Sequence, residues 1–335
     1  MITGLTYDDI LLIPSKSLDS RNDPNLETQL TRNIKMDIPI VSANMDTVTG
    51  PNLAVAMSKF GGTGFLHRNN LVDECVDNFE QTQRRITGSL TPAIPTVGVN
   101  EIFRIDRILH CTPKAICIDI ANAYSDKVKQ MIEHIQNIDP DVEIIVGNVA
   151  SAPGALFLAD LGVSAIKVGI GPGSVCTTRS TTGFGIPQFT AVQMVKAGLV
   201  YRGFLDVPVI ADGGLKNSGD IVKAIFAGAN VVMSGRFFAG CVESEQSNHY
   251  RGMASSEARK ILHNDEYVDT IAEEGVVTDL EWTGSVMQVL EKLCNGIRSG
   301  MSYGGCRTID ELIRSEHITP IRQTQNGMIE SGTRI

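Results

Sequence analysis

The sequence predicts a (β/α)8 TIM barrel, a closed ring of eight parallel strands with a helix after each strand. Three observations support this: short β-branched apolar runs alternate with amphipathic stretches, the runs number eight, and glycine or polar residues follow most of them. Continuous apolar runs are typical of parallel strands covered on both faces, and eight such units favour closure. A doubly wound open sheet is the alternative. The lack of a Gly-x-Gly-x-x-Gly sequence after the first strand counts against its dinucleotide-binding form.

The predicted elements alternate along the chain. Strands are predicted at Ile38–Asn44, Thr63–His67, Thr96–Val99, Ala115–Ala121, Glu143–Asn148, Ala165–Gly169, Val207–Asp212 and Val231–Ser234. Helices are predicted at Pro51–Phe60, Ser125–Asn137, Ala152–Leu161 and Ser218–Ala227. Proline suits the first position of the first of these helices, and glycines follow the last two as stop signals. Reactive groups of a barrel lie just after the carboxyl ends of its strands, so a site is expected there.

The length and composition fit one domain. Of the 335 residues, 42% are apolar and 20% are charged, as in ordinary globular proteins. We expect a single domain over residues 1–335, with a mobile flap at about 240–285 after the eighth strand and a loose polar tail at about 323–335. The flap is long for a loop in a compact domain, and such loops are typically functional.

Charge and cysteine usage exclude several classes of protein. The net charge of −9 gives no basic field for nucleic acid, although backbone N–H groups can still bind a phosphate locally. No run approaches the ~20 apolar residues of a membrane span, and the N-terminus has no signal-peptide pattern. The seven cysteines are scattered without a Cys-x-x-Cys pair, which favours reduced thiols over disulfides or zinc. We therefore expect a cytoplasmic protein that binds a small molecule.

The segment from Gly169 to Arg179, which reads Gly-Ile-Gly-Pro-Gly-Ser-Val-Cys-Thr-Thr-Arg, is the most informative in the chain. Its glycines let the backbone turn with positive φ and approach a ligand closely. N–H dipoles and Arg179 would favour the nucleophilic thiolate of Cys176. Thr178 could relay a proton if a carboxylate activates it, and Ser174 could bind a phosphate. The alternative is a glycine-rich turn with an incidental cysteine.

Other predicted strand ends also present polar groups. Asp212-Gly213-Gly214 and Gly235-Arg236 follow the seventh and eighth strands, where barrels frequently bind phosphate. Asp212 could accept hydrogen bonds from ribose hydroxyls, although these glycines could simply end strands. Asp119 could orient a ligand or cap the next helix, and Arg68 could meet a second phosphate. The six histidines show no metal-ligand spacing and are interpreted as structural.

At this point several segments together resemble the IMP dehydrogenase / GMP reductase family. The similar segments are Leu5–Pro14, Pro39–Val48, Gly171–Arg179, Ala211–Gly214 and Arg251–Ser255, in the family's order over nearly the whole chain. Within the family the chain is most similar to the reductases. It lacks the regulatory insert common in the dehydrogenases, it has no Arg-Tyr pair between Met253 and Glu274, and Ile118–Ser125 has the reductase form.

The resemblance implies an activity and a set of residues. Cys176 would attack C2 of GMP, Thr178 paired with Glu274 would protonate the leaving amine, and NADPH would reduce the remaining thioimidate to IMP. The implied substrate contacts are Ser174, Asp212, Gly213, Gly214, Gly235, Arg236, Gly252, Met253 and Ala254. The implied cofactor contacts are Arg68, Asp119, Ile120, Ala121, Ile170 and Gly171, with Ser299, Gly300, Met301 and Ser302 given by a neighbouring subunit of a homotetramer. A monovalent cation, potassium, would bind the main-chain carbonyls of Gly171, Gly173, Cys176 and Arg179.

The chain departs from the reductase pattern in three places. Arg68 replaces a lysine, Ile271 replaces an arginine three residues before the catalytic glutamate, and Trp282–Gly284 replaces a differently composed stretch. Substrate and cofactor preference could therefore differ. A compact IMP dehydrogenase, or a reductase acting on another purine nucleotide with NADPH or NADH, is the first alternative. The second is a nucleotide-binding protein that has lost turnover.

Overall fold

The computed structural model describes residues 2–86, 88, 91–263 and 272–330. Three short strands come first: β1 (Ile10–Leu12), β2 (Thr28–Gln29) and β3 (Lys35–Met36). The barrel follows, with β4 (Ile40–Ser42), β5 (Thr63–Leu66), β6 (Ile94–Val97), β7 (Ala115–Asp119), β8 (Glu143–Val149), β9 (Ala165–Val168), β10 (Val209–Asp212) and β11 (Val231–Ser234). The later strands are β12 (His249–Arg251), β13 (Val277–Asp279) and β14 (Pro320–Arg322).

The eight strands β4 to β11 form a closed parallel ring, in the order β10-β11-β4-β5-β6-β7-β8-β9. Each strand pairs with its neighbour in sequence, and the pairing of β11 with β4 closes the ring. The predicted (β/α)8 barrel and its eight strand positions are confirmed. Most strands are shorter than predicted, since the ladder ends where the chain turns into the loops at the rim.

Helices surround the ring. They are α1 (Pro51–Lys59), α2 (Val72–Arg85), α3 (Ile102–Leu109), α4 (Asp126–Ile138), α5 (Ala152–Asp160), α6 (Thr178–Thr182), α7 (Gln188–Tyr201), α8 (Ser218–Phe226), α9 (Ser256–His263), α10 (Val286–Gly304), α11 (Ile309–Ile313) and α12 (Gln325–Glu330). The four predicted helices are confirmed with ends that differ by one residue. Side-chain caps account for two of the starts, because Ser151 and Asn217 accept the backbone N–H of Gly154 and Asp220. Among the described residues, no helix is long and apolar enough to cross a membrane.

The barrel interior is a packed apolar layer to which every strand contributes at least one residue. Its members include Val41, Phe65, Ile94, Cys117, Ile145, Ala165, Ile210 and Met233. Leu30, Ile34 and Met36 from the β2–β3 hairpin join this layer. The hairpin closes the amino end of the ring, where Glu143 at the start of β8 accepts the backbone N–H of Asn33 at 3.2 Å. The opposite end remains for the loops that form a site.

The segments outside the repeat lie against the barrel. The stretch at about 240–285 contains the antiparallel pair β12–β13 and the helix α9 between them. Residues 264–271 of the predicted flap, which include Ile271, lie outside the described residues. Near the C-terminus, β14 pairs with β1, and the backbone N–H of Gln323 donates to the carbonyl of Asp9 at 2.9 Å.

Candidate active site

The cysteine loop runs beside the returning strand of the flap. The N–H of Thr177 donates to the carbonyl of Glu274 at 3.0 Å, and the N–H of Val276 donates to the carbonyl of Val175 at 2.9 Å. This antiparallel pairing brings residues together that lie far apart in the chain. Glycine makes the approach possible at Gly252, where an added Cβ would lie 2.8 Å from the carbonyl oxygen of Val175. The loop and the flap therefore form one wall of the barrel mouth.

Three of the predicted residues form a continuous hydrogen-bonded relay. The Cys176 thiol lies 3.1 Å from the Thr178 hydroxyl, and that hydroxyl donates to a carboxylate oxygen of Glu274 at 2.7 Å. All three side chains are partly accessible to solvent rather than sealed in the core. A thiol, a hydroxyl and a carboxylate in this order can pass a proton between a reacting sulfur centre and the carboxylate.

Arg179 clamps the cysteine loop. Its Nε donates to the carbonyl of Ile170 at 3.2 Å, and its Nη2 donates to the carbonyl of Ile186 at 2.6 Å. The loop fits closely around this side chain, since a Cβ at Gly171 (φ +78°) would lie 2.5 Å from Arg179 Cγ. Burial lowers the pKa of the guanidinium, while Cys176 acts in the opposite direction. Arg179 thus ties the two ends of the loop and keeps a cation near the thiol.

The four carbonyls implied as a cation site belong to this same loop. Two of them already accept one backbone hydrogen bond each: Gly173 from Cys176 at 3.1 Å, and Arg179 from Gly183 at 3.0 Å. A carbonyl has two lone pairs, so each can still bind a cation. Over the described ranges, no group of three or more His, Cys, Asp or Glu side chains could hold a metal ion. The donors on this loop are carbonyl oxygens, a kind of ligand that hard cations prefer.

A buried lysine stands at the centre of the barrel mouth. Lys167, in β9, is 2% exposed, and its Nζ donates to Asp119 at 2.7 Å, to Asp212 at 2.9 Å and to the side-chain oxygen of Asn148. Burial alone would lower the pKa of Lys167, but the two carboxylates raise it well above its ordinary value. This residue was missed from the sequence. A lysine inside the apolar run Ala-Ile-Lys-Val was the signal that could have found it.

The predicted phosphate-side residues converge around a buried tyrosine, Tyr250. Burial raises the pKa of its phenol to about 12, and a hydrogen bond with Ser174 acts in the opposite direction. A Cβ at Gly235 would lie 3.0 Å from the Tyr250 hydroxyl, and one at Gly213 (φ +86°) would lie 3.2 Å from the backbone nitrogen of Gly173. The turns after β10 and β11 therefore meet the cysteine loop. Tyr250 was not predicted.

The predicted base-contact segment is anchored by an ion pair. Arg251 binds Asp46 through two contacts, Nε to Oδ1 at 3.2 Å and Nη2 to Oδ2 at 2.7 Å, and both side chains are almost fully buried. The backbone N–H of Asp46 also donates to the sulfur of Met253 at 3.4 Å. Asp46 follows β4, so the barrel holds the segment Gly252–Ala254 directly.

The predicted cofactor residues divide into two groups. Asp119, Ile120, Ala121, Ile170 and Gly171 follow β7 and β9 at the barrel mouth. Ser299, Gly300, Met301 and Ser302 instead lie on α10, which packs against α8. Ser299 and Gly300 line an open groove of about 550 Å³ with Pro14 and Val222. Cys176 is not among the residues that line this groove.

Arg68 and His67, two residues at the rim of the barrel, each have a hydrogen-bond partner within the chain. Arg68 Nη1 binds Glu101 Oε1 at 2.9 Å, so its guanidinium is paired within the chain. Arg236 is exposed on the loop after β11. Burial lowers the pKa of His67 to about 4, so its imidazole is neutral at pH 7, and its Nδ1 accepts the N–H of Asn69 at 3.2 Å. This neutral, hydrogen-bonded His67 agrees with the structural role expected from the sequence.

The fold and the loop define a class: a TIM barrel whose carboxyl-end loops join a thiol, a hydroxyl and a carboxylate. The family model described as the IMP dehydrogenase / GMP reductase domain matches residues 4–334. The chain belongs to this family of oxidoreductases that act on purine nucleotides. It is 32% identical to an inosine-5'-monophosphate dehydrogenase from Cryptosporidium parvum, over 98% of this chain and 94% of that protein.

Two bacterial proteins named inosine-5'-monophosphate dehydrogenase are similar at the same level. Identity is 30% with the protein from Haemophilus influenzae and 29% with that from Escherichia coli strain K12, in each case over 92% of this chain and 91% of the relative. Both alignments extend over 449 positions, more than the 335 residues of this chain. The alignments therefore contain positions of these relatives that have no counterpart in this chain.

Proposed function

We propose that this protein is a GMP reductase, which uses NADPH to convert GMP to IMP and ammonia through a covalent adduct on Cys176. The observation that supports this proposal is the relay of Cys176, Thr178 and Glu274, with contacts of 3.1 and 2.7 Å. The reaction needs a nucleophile at C2 and a group that protonates the leaving amine. The relay offers both side by side.

In the proposed mechanism, the Cys176 thiolate attacks C2 of the purine and a C–S bond forms. The thiol proton released from Cys176 passes through Thr178 to Glu274 before the attack. Thr178 then donates its proton to the amine at C2 and is resupplied by the protonated Glu274, so the C–N bond breaks and ammonia leaves. A thioimidate remains on Cys176. A reduced nicotinamide, when bound, would supply the hydride that C2 accepts. The C–S bond then breaks, IMP leaves, and the Cys176 thiolate is restored.

The composition of the flap favours the reductase over the dehydrogenase. A dehydrogenase must hydrolyse its covalent intermediate, and the family's dehydrogenases use an arginine of an Arg-Tyr pair for that water. Between Met253 and Glu274 this chain has no Arg-Tyr pair, although Arg259 and Lys260 lie in that stretch. The loss of the pair removes a catalyst from the dehydrogenase reaction, whereas the reductase reaction does not use it.

The main alternative is a compact IMP dehydrogenase without the regulatory insert. The relatives with this name are 29% to 32% identical over more than nine-tenths of the chain, and this similarity favours it. The same relay would then act on IMP, and another group would activate water. A reductase for a different purine nucleotide is a further variant, to which the departures at Arg68 and Ile271 point.

The proposal extends to ligands and assembly. Asp119, Ile120, Ala121, Ile170 and Gly171 would contact NADPH, and the phosphate would lie against Ser174, the turns after β10 and β11, and Arg236. Potassium on the carbonyls of the cysteine loop would order that loop. A homotetramer would supply Ser299–Ser302 from a neighbouring subunit.

Absorbance in the band of reduced nicotinamide distinguishes the two activities. Enzyme in potassium buffer is mixed with GMP and NADPH, and separately with IMP and NAD. We expect decay in the first mixture and no growth in the second. Cys176→Ala should abolish the decay, whereas Cys111→Ala, which changes a free cysteine far from the loop, should not. Growth in the second mixture alone would replace the proposal with the dehydrogenase.

A further inference from the structure

Lys167 has no hydrogen left to offer a ligand. An ammonium group has three N–H donors, and those of Lys167 donate to Asp119, Asp212 and Asn148. With 2% of the side chain exposed and both carboxylates in contact, it stays protonated at neutral pH. The residue therefore cannot act as a general base or bind a phosphate directly, and its effect must pass through its partners.

The two carboxylates belong to opposite sides of the proposed site. Asp119 ends β7 beside Ile120 and Ala121 on the cofactor side, whereas Asp212 ends β10 beside the glycine turn on the nucleotide side. Both remain accessible, with side chains 25% and 21% exposed. We propose that Lys167 is a positioning residue that holds Asp119 and Asp212 in one fixed arrangement and thereby couples the nucleotide and cofactor sides of the barrel mouth. The identity of the two ligands rests on the proposed function.

Neighbouring dipoles complete this arrangement. Asn148 donates to Asp212 at 3.0 Å and to the carbonyl of Gly169 at 2.6 Å, and so ties the network to the cysteine loop. Gln188 donates to the main-chain carbonyls of Val168 and Asp212 at 2.7 and 3.1 Å. The lysine thus sits at the junction of β7, β8, β9 and β10.

The electrostatics follow from burial and charge. Burial alone would raise the pKa of Asp119, but Lys167 outweighs it and lowers that pKa, with further lowering from Arg68 and a hydrogen bond from Asn44. Cys117 lies beneath the lysine, and Tyr250 faces Asp212 from the flap. Of the charged groups that the structure describes, Lys167 alone forms ion pairs with both carboxylates. Without it, two neighbouring carboxylates would share a partly buried space, and their repulsion would favour the protonated form of one of them.

The test is nucleotide binding by Lys167→Met, measured by calorimetry with GMP and with IMP between pH 5 and pH 8. We expect affinity of the parent protein to change little with pH. The variant should bind at least 10-fold more weakly at pH 6, and its affinity should fall as pH is lowered from 8 to 5, because a protonated Asp212 accepts ribose hydroxyls poorly.

Lys167→Met combined with Asp119→Asn removes the repulsion and should restore much of the affinity and remove the pH dependence. Lys196→Met, at a half-buried lysine of α7, is the matched control and should behave as the parent.

A second measurement does not depend on any ligand. The free energy of unfolding of Lys167→Met, relative to the parent, should decrease as pH rises from 5 to 8, because the raised carboxyl pKa favours folding only while the group is protonated. If the parent binds neither nucleotide, the proposed function fails, and this pH dependence still tests the lysine. Unchanged affinity and an unchanged stability profile in Lys167→Met would overturn the inference. Weaker binding in a folded variant with no pH dependence in either measurement would also overturn it, since that result describes packing alone.

Discussion

At the scale of single residues, the relay depends on a hydroxyl between a thiol and a carboxylate. The Thr178 hydroxyl contacts Cys176 on one side and Glu274 on the other. If this hydroxyl is removed, the relay has no other group to carry a proton between the thiol and the carboxylate. Its position at the start of α6 keeps it two residues from the nucleophile. The contribution of each relay side chain to kcat can therefore be tested by a single substitution.

We predict that Thr178→Val and Glu274→Gln each lower kcat of the nucleotide reaction by about 100-fold or more, within the range typical of a lost general acid or base. Steady-state rates at saturating nucleotide measure this effect. Thr182→Val, a change to an exposed threonine one turn along α6, is the control and should retain activity. Retention of the parent kcat by folded Thr178→Val would contradict the assignment of the relay.

His67 predicts an acid-sensitive contribution to stability. Its pKa is about 4 in the folded protein and near 6.5 when exposed, so the unfolded chain binds the extra proton as pH falls below 6.5. The free energy of unfolding should therefore decrease from pH 6.5 to pH 4 by up to about 3 kcal/mol from this residue. Denaturant titrations of the parent and of His67→Gln measure it. A slope over this pH range that is equally steep in the variant would exclude His67 as the cause.

At the scale of elements, the flap is fixed to the barrel at its base. Arg251 in β12 holds Asp46 after β4, and its Nη1 also binds Glu257 of α9 at 2.5 Å. His249 contacts the same Glu257 at 3.2 Å and Asp279 of β13 at 3.4 Å. The β12–β13 pair then continues into Gly275 and Glu274, so the orientation of the relay carboxylate depends on this anchor.

Arg251→Lys keeps the positive charge but loses the planar, two-point contact with Asp46. We expect at least a 10-fold loss of kcat and a destabilisation of about 1–3 kcal/mol, because a buried carboxylate loses a hydrogen-bond donor. Rates and thermal unfolding measure the two effects. Arg314→Lys, in an exposed pair with Asp310, is the control and should change neither. Parent-like kinetics in Arg251→Lys would show that the anchor does not align Glu274.

At the scale of the whole molecule, the barrel is a rigid support whose interior is filled by side chains. Every strand contributes to the inner layer, and the β2–β3 hairpin seals the amino end. A second apolar layer lies between the strands and the helices. This packing leaves the loops at the carboxyl end free to vary while their bases stay fixed, which is the property that a site built from several strand ends requires.

Removal of one large side chain from the inner layer should be costly. Phe65 is fully buried there, and Phe65→Ala is expected to lower the free energy of unfolding by about 3–5 kcal/mol through lost burial and the cavity that remains. Chemical denaturation measures the change. Phe184→Ala, at a phenylalanine that is 78% exposed, should stay within about 0.5 kcal/mol of the parent. A loss below 1 kcal/mol for Phe65→Ala would contradict a tightly packed interior.

Much of the architecture could be predicted from the chain because its signals are local. The β-branched runs, the helix stop glycines and the glycine turn around Cys176 are each contained in a short segment, and the structure confirms the barrel that they indicate. The β1–β14 and β12–β13 pairs could not be predicted this way. Their strands have three residues each, too few for a periodic pattern, and their partners are far apart in the chain.

Local patterns were sufficient to predict the fold class, the strand positions and Cys176 as the candidate nucleophile, because periodicity and turn chemistry act over a few residues. The pairing of Thr178 with Glu274 came from a family resemblance and not from spacing, since 96 residues separate them. Tertiary structure decided that Lys167 lies between Asp119 and Asp212, and that Arg251 holds Asp46. The physical reason is that these contacts arise only when the ring closes and the flap folds back, which brings charges together at distances that no local pattern encodes.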